Sequence, residues 1–349
     1  MVDQLAPEFG PSERAADLRA VVSPPPAKQF AVAIFSTIGV LVIIAGGLVW
    51  ARAVFYSPEA AVNGYISALQ NRDATAALTH LGPQRGLFGD DLLQPEVVQD
   101  SGYTPPADLQ IRSVQTNGDT ATVTAAMRLG TETATTTTTT TTFTLERDNA
   151  LPWRLFRPWR IADGLGGITV NWPFAGGLTV AGKSVSGSTE DYLSAFPGQY
   201  QVVAGTSALA EAPPISVVVE PGRAAYGKFA PTIKASAADA VKTQVADYLD
   251  KCSKQTTLQP PGCPFSAYDS GYYGAPTNVA WSITGTPTYV IGIDGSNLTV
   301  TTSSPGTAGV TWQGTDYRKQ PTAESDSSSF RVDGKVAERA GQPVYSHGS

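Results

Sequence analysis

Two cysteines are the residues of this chain best placed to do chemistry with each other. Cys252 and Cys263 are the only cysteines in the sequence, and Pro260-Pro261-Gly262 bends the chain just before the second. Thiols this close along a chain either pair or hold a metal. Zinc asks for four ligands, and the sequence adds only two histidines, His80 and His347. A disulfide is the expected outcome, closing a loop whose chain-entropy gain is about 3 kcal/mol. Such a bond belongs to an oxidising compartment. A second group, Tyr268, Tyr272, Tyr273 and Trp281, is interleaved with Gly271, Gly274 and Pro276. Aromatic rings on an irregular loop either bind surfaces or cover a core, so all four are candidate surface-binding residues.

Signatures of catalysis are missing from the sequence. No G-x-S-x-G elbow, P-loop, G-x-G-x-x-G or H-E-x-x-H occurs, and Gly205-Thr206-Ser207-Ala208-Leu209 lacks the final glycine of an elbow. Asp90-Asp91 is a single acidic pair with too few oxygen ligands for calcium. The reading is therefore of a chain that is not an enzyme and uses neither metal nor cofactor.

The element that positions everything else is Phe30–Trp50, a run with no ionisable side chain, bordered by Lys28 and Arg52. Its length matches the roughly 30 Å hydrocarbon core at about 1.5 Å per residue, which predicts a transmembrane helix over 30–52. Ser36, Gly39, Gly46 and Gly47 lie near one face of that helix, where a second helix could approach for self-association. Ala51-Arg52-Ala53 has the small-x-small pattern of a signal-peptide cleavage site, but the apolar run is longer than a usual h-region and acidic groups precede it. The proline-rich residues 1–29 read as a disordered cytoplasmic tail. Flanking charge favours an N-terminus inside only slightly, whereas both cysteines lie beyond the membrane segment. The bulk of the chain is placed outside the cytoplasmic membrane.

The 349 residues carry a net charge of -6, and no lysine and arginine cluster exists to neutralise a run of phosphates, which excludes nucleic acid as a partner. Beyond the membrane segment the hydrophobic period divides the chain. Ser57-Pro58-Glu59 signals a capped helix carrying Val62, Tyr65, Ile66 and Leu69 on one face. From Leu109 the period becomes two, with Asn117-Gly118 as a hairpin turn and Thr135–Thr142 as a β-branched run favouring a strand, although a loop or a site of O-linked sugar stays open. Further strands are expected at Ile168–Val170, Leu178–Val180, Gly198–Val203 and Ile215–Val219, as a small β-sandwich over 168–230. A helix over 236–252 then precedes a last antiparallel sheet within 236–346, with Tyr317–Ser329 as a polar loop.

The order of helices followed by a strand meander, with the segments Pro58–Asp73 and Pro152–Asp163, resembles the nuclear-transport-factor-2-like (cystatin-like) fold over 57–163. That resemblance implies an α+β protein: one transmembrane helix, a helix packed in a cone of antiparallel sheet, a β-sandwich-like middle and a second helix-plus-meander domain. It also implies a cone interior where some members place a tyrosine and a carboxylate. Tyr65, Asp73 and Tyr103 are the candidate ligand-binding residues on that basis, with His80 near them in sequence. The pieces Leu178–Gly187 and Tyr192–Val202 resemble the extracytoplasmic repeats of teicoplanin-resistance-associated membrane proteins. Those proteins begin with a cytoplasmic zinc ribbon, for which this chain has no cysteines, so the likeness is confined to the extracytoplasmic part. Leu249–Phe265 resembles a segment of membrane-anchored actinobacterial proteins. Together these likenesses imply a noncatalytic, single-pass envelope protein that docks to an envelope protein or a cell-wall polymer. The alternative is a carrier or sensor of a small apolar ligand in the cone.

Overall fold

Ser57 begins the first helix as its type demands: its Oγ accepts from the amide of Ala60 at 3.1 Å, and Pro58 occupies the first helical position. The computed structural model describes residues 56–83, 89–130, 137–148, 157–185, 192–269 and 275–348. The expected tail and membrane helix, with Ser36, Gly39, Gly46 and Gly47, lie outside these residues, as do Tyr272 and Tyr273. Among the described residues no helix is long and apolar enough to cross a membrane. Tyr56–Ser349 forms one compact unit.

Helix α1 (Pro58–Gln70) is followed by α2 (Ala74–Thr79), a 3-10 turn (Asp91–Leu93) and α3 (Pro95–Gln99). Strand β1 (Tyr103–Thr104) precedes a four-stranded antiparallel sheet of β2 (Ala107–Asn117), β3 (Thr120–Leu129), β4 (Thr137–Arg147) and β5 (Trp159–Ile161) in sequence order. Val62, Tyr65, Ile66 and Leu69 of α1 are fully buried, as are Val123, Ala125 and Met127 of β3 and Phe143 and Leu145 of β4. The α1 stripe therefore packs on one face of this sheet, against β2, β3 and β5.

The middle of the chain is built from short strands. These are β6 (Gly166–Asn171), β7 (Leu178–Val180), β8 (Lys183–Val185), β9 (Leu193–Ala195), β10 (Gly198–Ala204), β11 (Ala210–Glu211), β12 (Ile215–Val219), β13 (Ala224–Lys228) and β14 (Thr232–Ile233). β10 is the hub, pairing with β1, β7 and β12, while β13 runs parallel to β6. Gly166 is required at the start of β6, because a Cβ there would meet the carbonyl oxygen of Glu220.

Helix α4 (Ala235–Ser253) buries Ala237, Val241, Val245 and Leu249. After it come β15 (Thr277–Gly285), β16 (Thr288–Asp294), β17 (Asn297–Ser304), β18 (Gly306–Thr315), β19 (Pro321–Phe330), β20 (Gly334–Arg339) and β21 (Gln342–His347). They form two sheets, β15-β18-β19 and β16-β17-β20-β21, where the sequence predicted one. The expected polar loop at Tyr317–Ser329 is largely β19, paired with β18 from Gly306↔Phe330 to Thr315↔Pro321. Its serines and acids have poor strand propensity, and the continuous ladder overrides it.

The α+β class with a helix-in-cone domain and a second helix-plus-meander copy is corrected by these observations. The protein is β-rich and sandwich-like, with twenty-one strands against four α-helices among the described residues. The order of elements misleads because a helix ahead of a meander does not make the helix a layer of its own. Only α1 and α4 are long enough to bury an apolar stripe against a sheet, and most core side chains come from strands.

Candidate functional site

The most regular surface feature follows from the alternation of β4. Phe143 and Leu145 point into the core, so Thr138, Thr140, Thr142 and Thr144 point out and are exposed. β3 does the same with Val123 and Ala125 inward and Thr122 and Thr124 outward. Their register places Thr122 opposite Thr144 and Thr124 opposite Thr142. On the other side of β3, Gln115 faces Thr122 and Ser113 faces Thr124. The result is an uncharged array with rungs about 4.8 Å apart across strands and about 6.8 Å apart along them. Among the described residues, no hydrogen bond engages the hydroxyls of Thr122, Thr124, Thr140, Thr142 or Thr144.

The array continues at the β5 side into a cleft of about 570 Å³, lined in part by Leu78, Leu81, Pro83, Glu146, Asp148 and Arg160. The segment after α2 makes its far wall, because Leu81 bridges to Ile161 and the Gly82 amide donates to the Ile161 carbonyl at 2.9 Å. The basic groups here are compensated, and Glu146 is exposed. Arg160 lies 3.5 Å from Asp148, and Arg147 stacks 4.4 Å from the Trp159 ring while reaching Asp119 at 3.6 Å. At the opposite end of the array Arg128 pairs with Asp108 at 2.8 Å. His80 stands at the base of the cleft wall, its pKa lowered by partial burial and then by the Arg160 guanidinium.

The candidate ligand-binding residues are not brought together. Tyr65 and Tyr103 are both fully buried, their hydroxyls donating to the carbonyls of Gly164 at 2.8 Å and Pro197 at 2.7 Å. Burial pushes both phenols well above their usual range. Tyr103 also packs against Tyr200, 5.0 Å between ring centres, which makes these tyrosines joints between elements. Asp73 stays on the exposed surface, where its carboxylate accepts from the Ala76 amide at 2.9 Å and caps α2. The aromatic group also separates. Trp281 is buried, 4.7 Å from the Phe265 ring, and its Nε1 donates to the Thr257 carbonyl at 2.9 Å, whereas Tyr268 is 76% exposed.

The disulfide between Cys252 and Cys263 is present, with Cα atoms 5.6 Å apart. Tyr248 reinforces the loop by donating its hydroxyl to the Gly262 carbonyl at 2.9 Å. Among the described residues there is no group of acidic, histidine and cysteine side chains suited to a metal ion. Sequence reasoning missed Glu146, Asp148 and Arg160, although their alternation with the buried Leu145 and Ile161 was a signal that they share the threonines' face. It also missed Arg72, which donates to the carbonyls of Val98 at 2.9 Å, Asp100 at 2.7 Å and Tyr103 at 3.0 Å.

No known family model, curated protein or solved structure matches the chain. The site therefore has to be read from its own chemistry.

Proposed function

We propose that this chain is a membrane-anchored interaction protein of the cell envelope. On this reading it is noncatalytic, its N-terminus is cytoplasmic, and its bulk docks outside the membrane to an envelope protein or a cell-wall polymer. The observation that carries the reading is the contrast between the two faces of the β2–β5 sheet. The face under α1 is filled by fully buried side chains, while the other presents a repeating row of unengaged hydroxyls. A surface with that regularity and no charge cluster suits contact with something extended. The Cys252–Cys263 disulfide supports an oxidising location, and the apolar run over 30–50 supports an anchor. A carrier of small apolar ligands would need space between α1 and the sheet, where Tyr65, Ile66, Leu69, Met127 and Phe143 already stand.

The test is retention of the detergent-extracted full chain on washed cell-wall sacculi, run beside affinity capture from envelope membranes. The expected outcome is saturable retention on sacculi, or one envelope protein recovered in fixed proportion to the chain. Retention on neither would contradict the proposal.

A further inference from the structure

We propose that the threonine array is a track for an extended, neutral polysaccharide, a reading that rests on the docking role proposed above and names its partner chemistry. Each threonine hydroxyl is one donor and two acceptors, so Thr122, Thr124, Thr140, Thr142 and Thr144 can give and take hydrogen bonds in any sense a sugar hydroxyl presents. Ser113 and Gln115 widen the array on the β2 side. Threonine methyl groups suit the C–H faces of sugar rings, and Leu78, Leu81 and Pro83 extend that apolar contact into the cleft. Length also fits a polymer, since Thr138 to Thr144 spans about 20 Å of strand.

Other partner classes match this face poorly. A peptide strand would add along the β4 edge, which β5 pairs only at Leu145–Arg147, and would leave the outward-facing hydroxyls of the sheet face unused. A protein interface would be expected to centre on tryptophan, tyrosine or arginine anchors; the rungs from Thr140 to Thr144 have none, and Arg128 and Arg160 at the two ends are held in ion pairs. Charge matching points the same way. The rungs of Thr140, Thr142 and Thr144 across to β3 are uncharged, Arg128 beside Thr138 is paired with Asp108, and the exposed Glu146 beyond Thr144 together with the chain's net charge of -6 opposes an anionic polymer.

The experiment measures retention of the full chain in detergent on insoluble cellulose and chitin, as neutral probes, and on a polygalacturonate gel, as an anionic one. The quadruple variant T122V/T124V/T142V/T144V keeps the β-branched shape and removes the hydroxyls; Thr142→Glu alone is a second variant that places a charge mid-track. Fold is checked by an unchanged thermal midpoint, and S325A/S327A on the distant β19 serves as the control. The expected result is retention on at least one neutral polysaccharide that persists from about 0.1 M to about 1 M salt. Each track variant should weaken it about tenfold or more, and the control should leave it unchanged. Binding to neither neutral probe, binding to the anionic gel alone, or equal binding by wild type and T142E would overturn the inference. If the chain still docks to sacculi or a membrane partner while cellulose and chitin fail, this inference falls and the broader docking proposal stands. If wild-type docking itself fails, the broader proposal falls.

Discussion

Arg72 is a clamp between the helical start of the chain and the strand that follows. It sits just after α1 in the left-handed backbone region, φ 57°, and its guanidinium closes the turn from α3 to β1 through three carbonyls. Replacing it by methionine keeps the aliphatic stem and strands those acceptors. Arg72→Met should cost about 2 kcal/mol in urea unfolding, and a loss under about 0.5 kcal/mol would contradict the clamp. His80 gives a pH signature. Its folded pKa lies below the ordinary 6.5, because burial and then Arg160 disfavour the cation, so the unfolded chain binds more protons between the lowered value and 6.5. Its contribution is complete above pH 6.5 and is lost as the pH falls through that window. Thermal midpoints should therefore fall on acidification below 6.5, and His80→Gln should flatten that fall; an identical pH profile for the variant would refute the assignment. Neither residue could be valued from sequence, since the partners of Arg72 and the burial of His80 are set by chain folded back from elsewhere.

At the scale of elements, what could be read depended on whether the cause was local. The cap of α1, the hairpin at Asn117-Gly118 and the strands at Leu178–Val180 and Ile215–Val219 are written in nearby residues, and they occur where the sequence predicts them. The threonine run gives β4 over Thr137–Arg147, as β-branching favours. Which threonines it exposes was hidden because a run of one residue type does not say which face is inward; Phe143 and Leu145 decide that. β19 was misread because its stability comes from a ladder with β18, a long-range cause that local propensity opposes. The disulfide was readable because two cysteines with a proline turn between them leave few choices. It anchors the end of α4, and C252S/C263S should lower stability by about 3 kcal/mol. Denaturant unfolding of the double variant measures this, and unchanged stability would show the loop to be held by Tyr248 and Trp281 instead.

At the scale of the molecule, one continuous buried core links residues from Ala61 to Val336, so the threonine array is displayed on a single packed unit. The β-rich architecture replaces the expected cone, and Tyr65, Ile66, Leu69, Met127 and Phe143 fill the space between α1 and the sheet. The opposite face holds the threonines on paired strands, so on the proposed reading a partner meets them without prior ordering of the array. The most direct measurement is photocrosslinking in intact cells from a photoreactive residue at Thr142, compared with one at the exposed Asp326 on β19. An adduct with wall polymer or a single envelope component is expected from position 142 and not from 326. No adduct at 142, or the same adducts from both positions, would contradict it.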